Sequence, residues 1–364
     1  MTEKYRHPAA LTAYQAKSEA QKLAFSAIAF EAAVALLRLG ILRAISDAGD
    51  SGVTAAELSK QLGLSEYGVK VLLDMGLTAN LVWLDGDRFV LDKVGYFLLK
   101  DPMTQVNINF TQDVCYEAMI HLMDSVKTGK PAGLKVFGDW PTIYQGLTHL
   151  PEPVRQSWIE FNNYYSRKAF ADALPIVLES RPKHILDIGG NTGAWAFYCV
   201  DHDPDVQVTI VDLPGQAKIA GKRIRDRQLD TRIDTCAVNI LDPEQRLPDD
   251  ADTLWMSQFL DCFPEDDILS ILDKARSVMD DGSSLFILEP FWDRQKFDAA
   301  AYSINATSLY FTCLANGTSR LFHSSDLPAL AKKAGFHVIA QHDDLGEGHT
   351  LLHLGILSNE AICS

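Results

Sequence analysis

The sequence predicts an α/β protein: a mixed seven-stranded sheet with helices on both faces, preceded by a mainly helical winged-helix module. Three observations carry that expectation. Between residues 183 and 288 short apolar runs alternate with helical patterns, which gives a largely parallel sheet. Residues 54–91 read as helix, turn, helix and hairpin, the order of a winged helix. Asp187-Ile-Gly-Gly-Asn-Thr-Gly193 follows one apolar run and Asp212 ends the next, the layout of a ligand-binding β-α-β unit. At 364 residues the chain is long for one domain and comfortable for two. The expected segments are 1–104, linking helices over 105–180, and the α/β domain over 181–364.

Residues 11–46 are rich in Ala and Leu at helical spacing, with Gly40 as a break between two helices. Thr54-Ala-Ala-Glu57 is a capping box that opens a short helix, and Gly63 ends it. Ser65 caps a second helix that runs to about Ala79. Leu81–Leu84 and Arg88–Leu91 flank Asp85-Gly86-Asp87 and predict a hairpin with an Asp-Gly turn.

A winged helix most often binds DNA, but here the second helix carries Glu66, Lys70 and Asp74, and the wing has a single Arg88. Phosphate contacts need more positive charge than that. The formal net charge of -15 points the same way. The module is therefore expected to bind protein rather than nucleic acid. Its apolar helices over 23–45 exceed what a small winged helix can cover, which predicts a homodimer.

Residues 105–127 and 152–178 read as two further helices, joined by a loop over Lys130–Pro141. The run His184-Ile-Leu186 then enters the glycine-rich turn, Ala194–Tyr198 starts a helix, and Val206–Val211 is the next strand. Backbone lies close to a ligand at the glycines, and Asp212 can accept ribose hydroxyls. The frame Gly189, Asn191, Gly193 is not the G-x-G-x-x-G of a dinucleotide loop, and no Lys makes it a P-loop. Asp187 would repel a pyrophosphate but can hold an ammonium group, so a nucleoside with an amino-acid tail fits better. Asn191 tolerates the left-handed backbone the turn requires.

The alternation continues as helix 215–228, strand 232–238, strand 253–257, helix 265–279 and strand 284–288. Phe336–Gln341 and Thr350–Leu357, joined by Gly346-Glu-Gly348, read as an antiparallel hairpin closing a mixed sheet. Cysteines 115, 199, 236, 262, 313 and 363 are scattered, which predicts neither a disulfide framework nor a metal site. Charges at Lys4, Arg6, Lys17 and Glu19 leave no early apolar block, and Glu31 interrupts the run 23–37. These features predict a cytoplasmic protein without a membrane partner.

With these residues in place, nearly the whole chain resembles the class I S-adenosylmethionine-dependent small-molecule O-methyltransferases. Plant phenolic, hydroxyindole and bacterial polyketide enzymes belong to that family. Phe161-Asn162 with Tyr165 is similar to its F-N-x-x-M element, and Asp187–Gly193 to its motif I. Asp212-Leu213-Pro214 matches its D-L-P, and Asn239-Ile240 falls where it has Asp-Met beside the adenine. Leu288-Glu289-Pro290 and Ala334-Gly335-Phe336 match later landmarks. The resemblance implies a Rossmann-like catalytic domain, an N-terminal winged-helix dimerisation domain, and linking helices that contribute to the acceptor pocket. It implies S-adenosylmethionine as cofactor, held by Tyr165, Asp187, Gly189, Gly190, Asn191, Gly193, Asp212, Leu213, Asn239, Ile240, Ser257 and Gln258. It implies a small aromatic or polyketide-like acceptor, methylated at oxygen.

The catalytic motif departs from the family's L-H-D-W, because Leu260-Asp261-Cys262-Phe263 puts Asp261 at the position of the general base. The family's G-G-x-E-R-T stretch reads Gly317-Thr-Ser-Arg320 and has lost its acid. A free Asp titrates near 3.9 and a phenol near 10, a gap of about six units. Asp261 could orient the acceptor, with carbon methylation as the alternative outcome. It could also be a mere helix cap or solvated loop residue before Pro264-Glu265. His323, His349 and His353 are further candidates for a base. Phe291, Trp292, Tyr302, Tyr310, Phe311 and Phe322 suit either core packing or an aromatic lining. A ligand-sensing winged-helix regulator is the alternative from another class.

Overall fold

The computed structural model describes residues 5–357, so Cys363 lies outside the described residues. The chain divides into two compact units. Among the described residues, one comprises 5–116 and 152–161, and the other 117–151 and 162–357.

The first unit holds α1 (Ala13–Ala24), α2 (Ser26–Arg38), α3 (Ile41–Ala48), α4 (Ala55–Leu62) and α5 (Glu66–Thr78). The wing follows as β1 (Val82–Asp85) and β2 (Arg88–Leu91), then α6 (Lys93–Lys100) and α7 (Pro102–Asn109). Gly40 breaks the chain in a left-handed turn, as its position predicts. A second break at Phe25 was not legible, because nothing in Ala-Phe-Ser stops a helix by itself. Both expected caps form: Thr54 with Glu57 as a reciprocal box, and Ser65 on Gly68. Asp85 pairs with Arg88, so the two-residue turn is Gly86-Asp87. Arg88 donates to the carbonyls of Ser51 and Gly52 and pairs with Glu57, so the wing's arginine is committed internally. No residue of α1 is buried, and Tyr14, Leu23, Phe25 and Ile28 are all exposed. No single helix among the described residues is long and apolar enough to cross a membrane. Together α1 and α2 reach that length and composition, but they are bent by 62° at their break.

The expected helix over 105–127 is interrupted. After α7 comes a π-helical turn at Phe110–Cys115, a 3-10 turn at Ala118–His121, and then α8 (Leu122–Thr128). The loop that follows contains α9 (Ile143–Gly146), and α10 (Glu152–Glu179) is continuous through Pro175.

The second unit is built on the seven-stranded sheet. In chain order come β3 (His184–Ile188), α11 (Ala194–His202), β4 (Gln207–Asp212), α12 (Pro214–Asp226), β5 (Ile233–Ala237) and β6 (Thr253–Ser257). They are followed by α13 (Glu265–Arg276), β7 (Ser284–Glu289), α14 (Asp298–Tyr310), α15 (Asp326–Lys333), β8 (Phe336–Leu345) and β9 (His349–Ile356). The strand order is β5-β4-β3-β6-β7-β9-β8, with β3 to β7 parallel and β9 antiparallel to β7 and β8. Every expected strand forms within a few residues of its predicted ends. One face of the sheet packs a core around Leu254, Met256, Ile271, Ile287 and Phe336. The other face buries Trp195 stacked on Trp255 at 3.8 Å, with Phe170 edge-on to both. Such aromatic contacts add about 0.5–1.5 kcal/mol each beyond the area they bury.

Candidate active site

The strand order reverses between β3 and β6: β4 and β5 lie to one side, β7 to the other. Connections leaving those two strands diverge, so a crevice opens at their carboxyl ends. Both loops singled out in the sequence leave from there, 189–193 after β3 and 257–263 after β6.

The first loop is shaped by close approach. Gly189, Asn191 and Gly193 all have positive φ, at 76°, 50° and 84°. A Cβ on Gly189 would stand 2.2 Å from the Phe259 ring, and one on Gly190 would stand 2.5 Å from Asp187 Oδ2. Only glycine fits either place without moving a neighbour. The Asn191 N–H donates to Asp212 Oδ2 at 2.8 Å and the Leu213 N–H to Asp212 Oδ1 at 2.7 Å. The carboxylate ending β4 is thus tied to the loop after β3, and each oxygen keeps a lone pair for a ligand. Asp187 is 2% exposed and its Oδ2 has no partner. Burial, and then the Asp212 charge, push it up to about 8. A cationic group at this place would relieve both carboxyls.

The second loop is held by buried polar groups. Gln258 adopts φ 47°, unusual for a residue with a side chain. Its Oε1 accepts from Ser166 Oγ at 3.1 Å, and its Nε2 lies 3.0 Å from His349 Nε2. Burial holds His349 down to about 4, so its imidazole is neutral near pH 7. Glu289, at the end of β7, accepts the N–H groups of Phe259 at 3.0 Å and Leu260 at 2.9 Å. Burial, and then the Asp261 charge, raise Glu289 well above the usual carboxylate range.

Asp261 itself is 5% exposed, and burial pushes it up to about 7. The Cys262 thiol donates to its Oδ1 at 3.3 Å. The bland expectation for Asp261 fails: it is not solvated, and α13 starts after Pro264 with no side-chain cap. The acid missing from the Gly317–Arg320 stretch is not the only one available, because Glu289 reaches the same turn from β7.

Ten buried side-chain atoms lack a hydrogen-bond partner among the described residues, and their placement is informative. Those of Asp187, Ser257, Glu289 and His349 sit together at the ends of β3, β6 and β7 and the start of β9, and that of Tyr144 is beside Asp261 and Cys262. Each such atom costs about 1–3 kcal/mol while unpaired. Their gathering at the carboxyl ends of interior strands leaves polar atoms that a bound ligand or ordered water would satisfy.

The remaining expected site residues fall around these strand ends. Tyr165 lies on α10 beside Ser166, edge-on to Tyr164 at 5.3 Å. Leu213 is exposed just before α12. Asn239 and Ile240 follow β5; the Asn239 Oδ1 accepts the Leu241 N–H, while the Ile240 side chain belongs to the core. Of the other histidines, His353 bonds Ser284 at the opposite end of β7, and His323 sits 3.4 Å from Asp293. Phe291 and Phe322 are core residues, Tyr302 is 73% exposed, and Tyr310 is buried near Tyr144. Sequence reasoning named Glu289 and Cys262 only as members of motifs, without a role, and passed over Tyr144. Glu289 carries the same signal as Asp212, an acid ending an apolar strand; Tyr144 stands in a loop and carries none.

Comparison with known proteins bears on this geometry. Residues 17–89 match a Dimerisation2-like domain, and residues 120–337 match an O-methyltransferase domain. The chain is 23% identical over 318 residues to an L-tyrosine C(3)-methyltransferase of Streptomyces lavendulae, covering 86% of this chain and 85% of that one. It is 26% identical over 278 residues to a 3-hydroxy-5-methyl-1-naphthoate 3-O-methyltransferase of Streptomyces sahachiroi, covering 74% and 77%. Among solved structures, the S-adenosylmethionine-dependent methyltransferase SibL superposes with a TM-score of 0.73 at 21% identity, covering 94% of this chain and 99% of that one. An O-methyltransferase from neocarzinostatin biosynthesis, in complex with S-adenosylmethionine and 2-hydroxy-5-methyl naphthoic acid, does so at 0.68 and 21%, covering 96% and 100%. The two structures share this fold.

Proposed function

We propose that this chain, which belongs to the O-methyltransferase family and is an S-adenosylmethionine-dependent methyltransferase, methylates a hydroxyl oxygen of a small aromatic or polyketide-like acceptor. The observation that carries the reading is the pairing of two buried acid sites across the β3–β6 crevice. One, Asp187 with Asp212, suits a cationic nucleoside; the other, Asp261, suits a hydroxyl donor. S-adenosylmethionine supplies a methyl group on a positively charged sulfur. Asp212 would accept the ribose hydroxyls, Asp187 the ammonium group, and the glycines would admit the backbone close to the ligand. Gly193, Leu213, Asn239, Ile240, Ser257, Gln258 and Tyr165 would complete that half of the site. Asp261 would accept the acceptor hydroxyl's hydrogen bond and so orient its oxygen for an in-line displacement.

Carbon methylation is the second reading. It is favoured by one observation, a carboxyl where the family has His, and by the relative that methylates tyrosine at C(3). A screen of aromatic acceptors with labelled donor, read by mass and by fragment position, separates the two. We expect the label on oxygen. A label on ring carbon overturns the oxygen assignment and leaves methyl transfer standing.

We further propose a homodimer formed through residues of roughly 11–100, because α1 and α2 leave their apolar side chains uncovered. Sedimentation at micromolar concentration should give twice the chain mass, and a monomer there would refute the assignment. Within each chain, 1–104 would then serve assembly, 105–180 the acceptor pocket and 181–364 the cofactor.

A further inference from the structure

Tyr144 is the least explained polar group of the second unit. It sits on α9, a single turn wedged into the fold: Ile143 is fully buried, and a Cβ on Gly146 would meet the Trp140 ring at 2.4 Å. The turn is therefore packed in place and cannot simply swing its hydroxyl out to water. That hydroxyl is buried and leans toward the Cys262 sulfur, too loosely to form a hydrogen bond of good geometry with any described residue. Cys262, Tyr310 and Asp261 lie near it, and all three disfavour a negative charge on it. The Cys262 side of the arrangement is equally fixed, because Asn316 Nδ2 donates to the Cys262 carbonyl at 2.5 Å and the thiol points to Asp261 Oδ1.

We propose that Tyr144 is a second anchor for the acceptor, its O–H donating to an oxygen next to the one Asp261 orients, so that the acceptor is a ring bearing two neighbouring oxygen substituents. The inference rests on the acceptor reading above and makes it more specific. Burial and acidic neighbours hold the Tyr144 phenol well above its usual range, so it stays protonated and can only give a hydrogen bond to an oxygen. The second substituent must therefore accept: a hydroxyl, ether or carbonyl oxygen. A carboxylate would add a further acid beside Asp261 and Glu289, where burial and the Asp261 charge already disfavour a negative group. A phenol with a bare neighbouring position leaves the Tyr144 hydroxyl unpaired, and sites built around a hydrogen bond discriminate on that ground.

The test uses the full chain saturated with S-adenosylhomocysteine and two neutral probes, 2,3-dihydroxynaphthalene and 2-naphthol, titrated calorimetrically. Wild type should bind the diol about tenfold more tightly, the worth of one ordinary hydrogen bond. Tyr144→Phe should bring the two probes within about twofold by weakening the diol alone. A preference that survives in Tyr144→Phe, no preference in wild type, or no binding of either probe overturns the proposal. Failure to bind S-adenosylhomocysteine at all would instead overturn the methyltransferase reading beneath it. Thermal unfolding without ligand gives an independent check. Removing an unpaired hydroxyl should leave the midpoint unchanged or raise it, and a clear fall would show that the hydroxyl serves the fold instead.

Discussion

Asp261→Asn is expected to slow single-turnover methyl transfer by about 10–100-fold while donor affinity stays within about twofold. The loss corresponds to a charge-assisted hydrogen bond exchanged for a neutral one. The amide still reaches the acceptor, so part of the orientation survives. The wild-type rate carries a second signature. The carboxylate accepts the acceptor's hydrogen bond more strongly than the protonated carboxyl does, and burial pushes that group up to about 7. The rate should therefore fall as pH drops from about 8 to about 6 and level off above, and the Asn variant should lack that step. Burial also narrows the gap to a phenol, from about six units to about three, so proton transfer to Asp261 is less uphill than a free Asp would make it. A loss beyond about a thousandfold would assign Asp261 that transfer outright and refute the orienting role.

Asp212→Ala should weaken S-adenosylmethionine binding by about 1.5–3 kcal/mol, measured by calorimetry. Two effects combine in that number. The variant removes the acceptor of the ribose hydroxyls, and it releases the Asn191 N–H that Asp212 holds at 2.8 Å. Asp212→Asn separates them, since the amide oxygen can keep the loop bond without the charge. The same change removes the charge that helps hold Asp187 up, so the pH dependence of binding should move to lower pH in both variants. Binding unchanged within error in Asp212→Ala would take this residue out of the site.

Much of the architecture was legible because the relevant signals are local. Capping boxes at Thr54 and Ser65, left-handed turns at Gly40 and Gly63, and apolar runs closed by Asp187 or Asp212 each act within a few residues. The glycine-rich turn after β3 was legible for the same reason. What was missed depends on distant partners. The π-helical turns at Phe110–Cys115 and Phe311–Ala315 and the break at Phe25 follow from packing, not from propensity. Helix α6 was overlooked although Asp92 caps it, because Gly95 weakens its pattern. Glu289 and Tyr144 meet Asp261 only after the chain has folded over spans of 28 and 117 residues, and no spacing rule reaches that far.

The turn at Gly346–Gly348 holds α10 as well as closing a hairpin. Gly346 donates to Asp172 at 2.7 Å, Glu347 pairs with Lys168, and His349 supports Gln258. Those partners lie 174, 179 and 91 residues away along the chain. Pairings so far apart close late, after the entropy of long loops has been met. During synthesis the loop after β3 would thus be complete long before the turn after β6 gains its support, which must await residues 346–349. A nascent or truncated chain ending before residue 346 would present the loop around Asp212 without the support that aligns Gln258 and the turn leading to Asp261. The order of the chain itself therefore delays the alignment of Gln258 until residues 346–349 have been made.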